Sequence, residues 1–240
     1  MSIILYDLAC SNNRRPSPFC WRVKYALAHK GLEFTTVPLK FTDIEPQFNG
    51  RYKTVPTIND NGYLINGSDH IVNYLNKAYP QNPLLVEDLG KSQLSFLDDS
   101  QPNTILGNLF GIYALDIFKI LHPEDRMYFR ASREQELDCT LENFVINRDL
   151  ALQSLRQDLN PLRNRLSTSQ FLSGITPNYT DYIAISAVLW ILSVSTLPLL
   201  EPNDRLINWI ARCQDLYKGL GYTSTLNNLS NTKSENQYSQ

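Results

Sequence analysis

The chain has 240 residues, 42% of them hydrophobic and 19% charged, with a formal net charge of -2. Such a composition belongs to a globular protein with enough chain for one large domain or two small ones, each with its own core. A near-neutral balance without a clustered Lys/Arg face argues against nucleic acid or an anionic membrane as the main partner and leaves small molecules or other proteins.

The four cysteines, Cys10, Cys20, Cys139 and Cys213, are scattered rather than framed, and residues 1–15 lack a cationic segment followed by a long apolar one. Both features lead to the expectation of a reduced, cytoplasmic protein. Three Asn-X-Ser/Thr sequons, at Asn66, Asn178 and Asn228, carry no weight without a signal peptide.

Residues 3–6 are a short apolar run ending at Asp7, which reads as a buried strand, and 9–15 read as a polar loop. Ser17-Pro18 then opens a segment whose apolar Trp21, Val23, Tyr25, Ala26 and Leu27 predict a helix, stopped at Gly31 after basic His29-Lys30. Ser17 holds the N-cap position. Read from these residues alone it is first of all a helix cap, at a place where free N–H groups and the helix dipole favour an anion.

A second strand is predicted over 33–38, with Pro38 demoting its end to an edge or exit, and 40–53 hold at most a short irregular helix. Residues 54–58 and 63–65 flank an Asn59-Asp60-Asn61-Gly62 turn signal and read as a hairpin. Pro56 belongs where that third strand begins or where the ladder is left open for something else to pair with. Ser68 then caps a helix running to Tyr79, closed by Pro80. The order to residue 80 is β-α-β-(irregular)-β-β-α.

Residues 81–88 read as a linker, after which only helical patterns follow: 89–99, 103–121, 123 to about 166, 178–197 and 203–220. Asn160-Pro161 suggests a break or restart within the third. The uncharged stretch 182–200 approaches the length of a membrane span. It carries several Ser and Thr residues and Pro198, and Asn178 with Asp181 offers a soluble helix start, so it is read as the buried centre of a helical domain. Residues 223–240 are Asn/Ser-rich and are expected to form a mobile tail. The domains expected are 1–80 (α/β), a linker at 81–88, 89–222 (all-α) and the polar tail 223–240.

The S-x-x-C between first strand and first helix, the Val55-Pro56 that opens the third strand and the all-α second half together resemble the glutathione transferase superfamily, with a thioredoxin-like N-terminal domain and a helical C-terminal one. Ser17 at the first position of that motif resembles the serine-type members. Ile4-Leu5-Tyr6-Asp7-Leu8 with the run from Ser17 to Gly31 is most similar to the fungal etherase-type (FuA) and bacterial lignin β-etherase transferases.

The resemblance implies roles residue by residue. Ser17 would hold the glutathione sulfur as a thiolate, which stabilisation of the anionic form favours physically. Val55, before a Pro56 that is cis in this family, would pair its backbone with the cysteinyl unit of glutathione. Ser68 would bind the γ-glutamyl carboxylate. Where the family carries Glu, Gln or Asp before that serine this chain has Gly67, with Asp69 after it, so the partner of the γ-glutamyl ammonium is open. Lys53 is the basic residue expected at the glycyl carboxylate, over Lys40, Arg14 and Arg15. Cys10 and Ser11 are rivals to Ser17, whereas Tyr6 falls inside the first strand. Cys20 is expected to be packed, and glutaredoxin-type exchange would need Cys at position 17.

No metal is expected, because His29, His70 and His122 have no ligand spacing. The implied activity is attack of glutathione on an aromatic electrophile, with aryl ether cleavage as the subclass. The alternative is a hydrophobic-ligand-binding protein of ligandin type. The implied partners are glutathione and a hydrophobic aromatic small molecule, in a homodimer. Phe110, Tyr113, Phe118 and Tyr128 recur at helical spacing and are read as core, with some of that set lining the substrate cleft.

Overall fold

A computed structural model describes residues 3–85, 88–101 and 103–222, so the tail expected over 223–240 lies outside the described residues. Ile3–Leu8 (β1) and Phe34–Leu39 (β2) pair in parallel, Ile3 opposite Phe34 and Leu8 opposite Leu39. A parallel pair needs a crossover, and Pro18–His29 (α1) supplies it, stopped where Gly31 adopts φ 69°. Phe41–Gln47 (α2) is the short irregular helix read from the sequence. Thr57–Asp60 (β3) runs antiparallel to β1 and turns into Tyr63–Asn66 (β4). The two turn residues, Asn61 at φ 52° and Gly62 at φ 92°, take the left-handed conformations for which Asn-Gly is suited. The sheet order is β2-β1-β3-β4, which puts Pro38 on an edge strand, and Ser68–Ala78 (α3) follows the sheet.

Two local expectations need correction. The third strand begins at Thr57 rather than Thr54, because Pro56 has no N–H to give the ladder and the pairing with β4 starts only at Thr57 opposite Asn66. The cap of α3 is Gly67, at φ 90°, and Ser68 is already the first helical residue.

The second half is helical: Ile105–Ile120 (α4), Pro123–Leu137 (α5), Leu141–Phe144 (α6), Arg148–Asp158 (α7), Asn160–Arg165 (α8), Tyr179–Val194 (α9) and Leu206–Gly219 (α10). The helix expected over 89–99 is absent, and two single turns stand there instead, Leu89–Lys91 and Ser95–Leu97. A serine side chain competes for the backbone in this stretch: Ser92 Oγ donates to Leu89 O and accepts from Leu94 N–H. The long segment after Pro123 also breaks where the sequence reading is continuous, at Asp138, which adopts φ 52°; Thr140 then caps α6 by accepting from Asn143 N–H at 3.2 Å. The restart at Asn160-Pro161 is present.

The capping box of α9 forms as read: Asn178 Oδ1 accepts from Thr180 N–H at 2.8 Å and Asp181 Oδ2 from Asn178 N–H at 3.4 Å. The helix is buried nearly all round at the centre of the helical half. No helix among the described residues is long and apolar enough to cross a membrane. Helix α1 is sandwiched, with the sheet on one side and α9 on the other, which is why nine of its twelve residues are buried.

Asp125, fully buried on α5, accepts from Phe41 N–H, Thr42 N–H and Thr42 Oγ at 3.1, 2.9 and 2.9 Å, and so caps α2 from across the domain boundary.

The far end of α1 meets α9 and α10 through a polar knot. His29 Nδ1 lies 2.7 Å from Tyr182 Oη and 3.2 Å from Tyr217 Oη, and Tyr25 donates to Cys213 O at 2.9 Å. Burial first, and the neighbouring Lys30 charge second, push His29 below its ordinary 6.5, against the Pro83 carbonyl, which acts the other way. The unfolded chain therefore takes up this proton at higher pH than the folded one, so stability is complete above about pH 6.5 and falls as the pH drops through and below it. Urea midpoints at pH 7.5 and 5.5 are expected to differ in that sense for the native chain and to converge in His29→Gln. An equal drop in both would remove His29 as the cause.

Candidate active site

Topology brings three points to one end of the sheet. β1 and β3 are antiparallel with Tyr6 opposite Thr57, so the end of β1, which leads through the loop to Ser17, lies beside Val55 and Pro56 at the start of β3. Thr57 in turn faces Asn66, and Gly67 N–H donates to Pro56 O at 2.9 Å, which puts Ser68 and the start of α3 at the same end.

Ser17 caps α1. Its Oγ accepts from Cys20 N–H at 3.1 Å, and its carbonyl accepts from Trp21 N–H at the same distance. Pro18 has no N–H, so the first-turn donor left without an acceptor among the described residues is Phe19 N–H. The hydroxyl spends a lone pair on Cys20 and keeps its proton as a donor. Two donors, Ser17 O–H and Phe19 N–H, thus stand at the positive end of a twelve-residue helix. Cys20 is fully buried, and its thiol is pushed far up by burial first and by Asp7 second. It is packed, as read from the sequence. Cys10 is also buried, its thiol raised to about 12 by burial first and Asp125 second, which makes it a poor source of a thiolate.

The Val55–Pro56 bond is cis. Among the described residues the Val55 N–H and C=O have no partner, while the flanking carbonyls of Thr54 and Pro56 accept from Asn66 Nδ2 at 2.7 and 3.3 Å. Asn66 holds the bend in place and leaves Val55 open to an added strand. At α3 the first three N–H groups, of Ser68, Asp69 and His70, are likewise unspent, the first helical bond being Ile71 N–H to Gly67 O at 2.9 Å. The Ser68 side chain is buried and faces the Tyr179 hydroxyl, itself buried and without a hydrogen bond of good geometry. Asp69 is exposed, and its carboxylate forms no ion pair or hydrogen bond among the described residues.

The cations weighed for the glycyl carboxylate divide sharply. Arg15 turns inward to Asp7 at 3.3 Å, and Arg14 points to Val194 O at 3.5 Å. Lys40 pairs with Glu124 at 3.5 Å. Lys53 is 74% exposed with one loose tie, to Glu45 at 3.7 Å. Of the aromatic set, Phe110 packs against Phe129 and Phe144, and Tyr113 is buried with its hydroxyl on Leu197 O, whereas Tyr128 is exposed. Sequence reasoning missed the Phe19 N–H, which carries no side-chain signal, and the buried charges Asp7, Lys24 and Arg22. Their one signal is that Arg22 and Lys24 interrupt the apolar run of α1.

A small mixed sheet with a serine-capped helix, a cis-proline bend and an open helix start at one end, followed by an all-helical half, defines a thioredoxin-like domain joined to a helical domain. Residues 13–83 match the model of the glutathione S-transferase N-terminal domain and residues 93–199 that of the C-terminal domain. The chain belongs to the glutathione S-transferase superfamily. It is 37% identical over 81 residues to glutathione S-transferase Z1 of Arabidopsis thaliana, a match spanning 31% of this chain and 36% of that one. It is 26% identical over 183 residues to a probable glutathione S-transferase of Glycine max, spanning 73% of this chain and 68% of the other. Its fold superposes on a glutathione S-transferase of Ceriporiopsis subvermispora solved with glutathione (TM-score 0.73, 22% identity, 93% of this chain and 99% of that one). It also superposes on the transferase GSTFuA3 of Phanerochaete chrysosporium (TM-score 0.63, 24% identity, 96% of each chain).

Proposed function

We propose that the protein is a glutathione transferase in which Ser17 O–H and Phe19 N–H hold the glutathione sulfur as a thiolate. Val55 pairs with the cysteinyl unit, the α3 N–H groups with Ser68 take the γ-glutamyl carboxylate, Asp69 takes its ammonium, and Lys53 takes the glycyl carboxylate. The observation that carries this reading is the row of unspent donors and acceptors at one end of the sheet, at Ser17, Phe19, Val55 and Ser68. Groups left open together in this way are a template for a short extended peptide with acidic ends.

The helical domain would present a hydrophobic aromatic electrophile to that thiolate, in a cytoplasmic homodimer. In the ether-cleaving subclass a carbon–sulfur bond forms as the carbon–oxygen bond breaks. The thiol proton passes to solvent on ionisation, and the departing phenolate takes one back. The gain is an ionised nucleophile at neutral pH held close to its target.

Ser17→Ala is expected to raise the apparent thiol pKa of bound glutathione and cut turnover at neutral pH about 10- to 100-fold, at a structural cost of about 1 kcal/mol from the lost cap. An unchanged pH profile would remove Ser17 from its role. Displacement of a fluorescent hydrophobic probe by aromatics, with no turnover of any electrophile, would instead make the protein a hydrophobic-ligand binder.

A further inference from the structure

Beneath Ser17 lies a group of charges that the binding reading leaves unused. Asp7, at 0% exposure near the end of β1, places Oδ2 2.6 Å from Lys24 Nζ and 3.3 Å from Arg15 Nη1, while its Oδ1 has no partner. Lys24 is 6% exposed, its ammonium 4.1 Å from the centre of the Trp21 ring. Arg15 is pinned from several sides: its Nη2 donates to Asn13 Oδ1 at 2.7 Å, and its carbonyl accepts from Trp21 Nε1 at 3.0 Å and from Ser193 Oγ of α9 at 3.2 Å. Among the described residues no other ionisable side chain pairs with these three. Cys20 lies beside Asp7, and the neighbouring charges are Arg14, in the same loop as Arg15, and Asp125, against Cys10.

Two cations share one carboxylate, so the cluster holds one positive charge in excess. An unbalanced buried charge is expensive, and an anion placed nearby relieves it. Helix geometry says toward which end of α1 that surplus faces. Ser17, Cys20 and Lys24 stand at i, i+3 and i+7, one stripe along α1, and helical side chains lean toward the N-terminus. The Lys24 stem therefore carries its ammonium back along the stripe toward Cys20 and Ser17, while Arg15 enters from the loop two residues before the cap. The surplus charge, the Phe19 N–H and the dipole of α1 act in one sense at one place.

We infer that Lys24 and Arg15, with Asp7 as their shared counter-charge, are positioning residues that favour the thiolate over Ser17 through space, without touching it. This rests on the glutathione reading above. The test is to titrate the glutathione thiolate bound to the full chain by its ultraviolet absorbance. Lys24→Met cancels the surplus and is expected to raise the apparent thiol pKa by about one unit, and Asp7→Asn leaves two cations and lowers it by a similar amount. The Asp7→Asn/Lys24→Met double variant keeps Arg15 alone, restores the native net charge and returns the titration to the native value.

A purely structural ion pair would lower stability in both single variants without shifts of opposite sign. Either single variant leaves a buried group unpaired and can fail to fold, so the double variant is also compared with Asp7→Asn/Lys24→Met/Arg15→Met, which is expected to titrate about one unit higher. Single variants that shift in the same direction, or double and triple variants that titrate together, overturn the inference. A native chain that forms no bound thiolate overturns the glutathione reading and the inference with it, and that failure is visible before any substitution is made.

Discussion

Asp181→Ala is expected to lower stability by about 4 kcal/mol, read from urea unfolding as a fall in midpoint at unchanged slope. The carboxylate is fully buried at the third residue of α9 and serves three segments at once. Oδ1 accepts from Leu172 N–H at 2.7 Å and from Trp209 Nε1 at 3.1 Å. Oδ2 accepts from Ser173 Oγ at 2.6 Å, Ser173 N–H at 3.2 Å and Asn178 N–H at 3.4 Å. Alanine strands the Leu172 and Trp209 donors in the interior at about 1–3 kcal/mol each, while the Ser173 and Asn178 groups can turn partly to water. It also removes a negative charge from the start of the most buried helix in the molecule. Asp181→Asn keeps one acceptor oxygen and is expected to lose about half as much. A loss below about 1.5 kcal/mol for the alanine variant would mean that the segment before α9 is held by packing and not by this carboxylate.

The same residue shows where a sequence stops being readable. Asn178 and Asp181 are three apart, and a capping box is local chemistry, so the start of α9 is legible without a structure. The Trp209 and Leu172 donors that make Asp181 matter come from elsewhere in the chain and carry no local mark. The Asn61-Gly62 turn, the stop at Gly31 and the restart at Asn160-Pro161 are legible for the same local reason. The helix expected over 89–99 has the right apolar spacing but loses to the Ser92 side chain, which bonds the neighbouring backbone, a contest that periodicity does not register.

At the candidate site, what is legible is that Ser17, Val55-Pro56 and Ser68 belong together, because their spacing resembles a family pattern, and the fold does bring them to one end of the sheet. The cap of α3 is misread by one residue because Gly67 supplies it through backbone conformation alone. Asp7 looks like a charge that ends a strand, and Lys24 like one on a helix surface. That they meet at 2.6 Å is a product of how α1 lies on β1.

Arg22→Ala carries the second large expectation, a loss of about 3 kcal/mol. Arg22 leaves α1 on the side opposite to Lys24 and enters the helical domain. Its Nε donates to Ser186 Oγ of α9 at 3.3 Å, Nη1 and Nη2 take both oxygens of Asp99, and the guanidinium lies 5.0 Å from the centre of the Phe19 ring. The side chain is buried, whereas the Asp99 carboxylate is about one-third exposed, so loss of the arginine leaves the aspartate partly solvated and the Ser186 hydroxyl still bonded to Ile183 O. The cost is therefore lost packing plus lost charge-assisted bonds, below the cost of a fully buried widow charge. Arg22→Lys is expected to recover less than half, since one ammonium cannot span Ser186 and both Asp99 oxygens. An Arg22→Met/Asp99→Asn pair, measured as a double-mutant cycle by urea unfolding, separates the ion pair from the packing: a coupling above about 1 kcal/mol assigns the loss to the pair, and additive single losses assign it to the methylene stem and the Phe19 stack. Helix α1 thus joins the two halves of the protein through side chains two residues apart that point to opposite layers. Phe19, stacked on Arg22, also carries the N–H at the start of α1 that has no acceptor among the described residues, so on the glutathione reading proposed above the Arg22 variants are expected to weaken glutathione binding along with the domain contact.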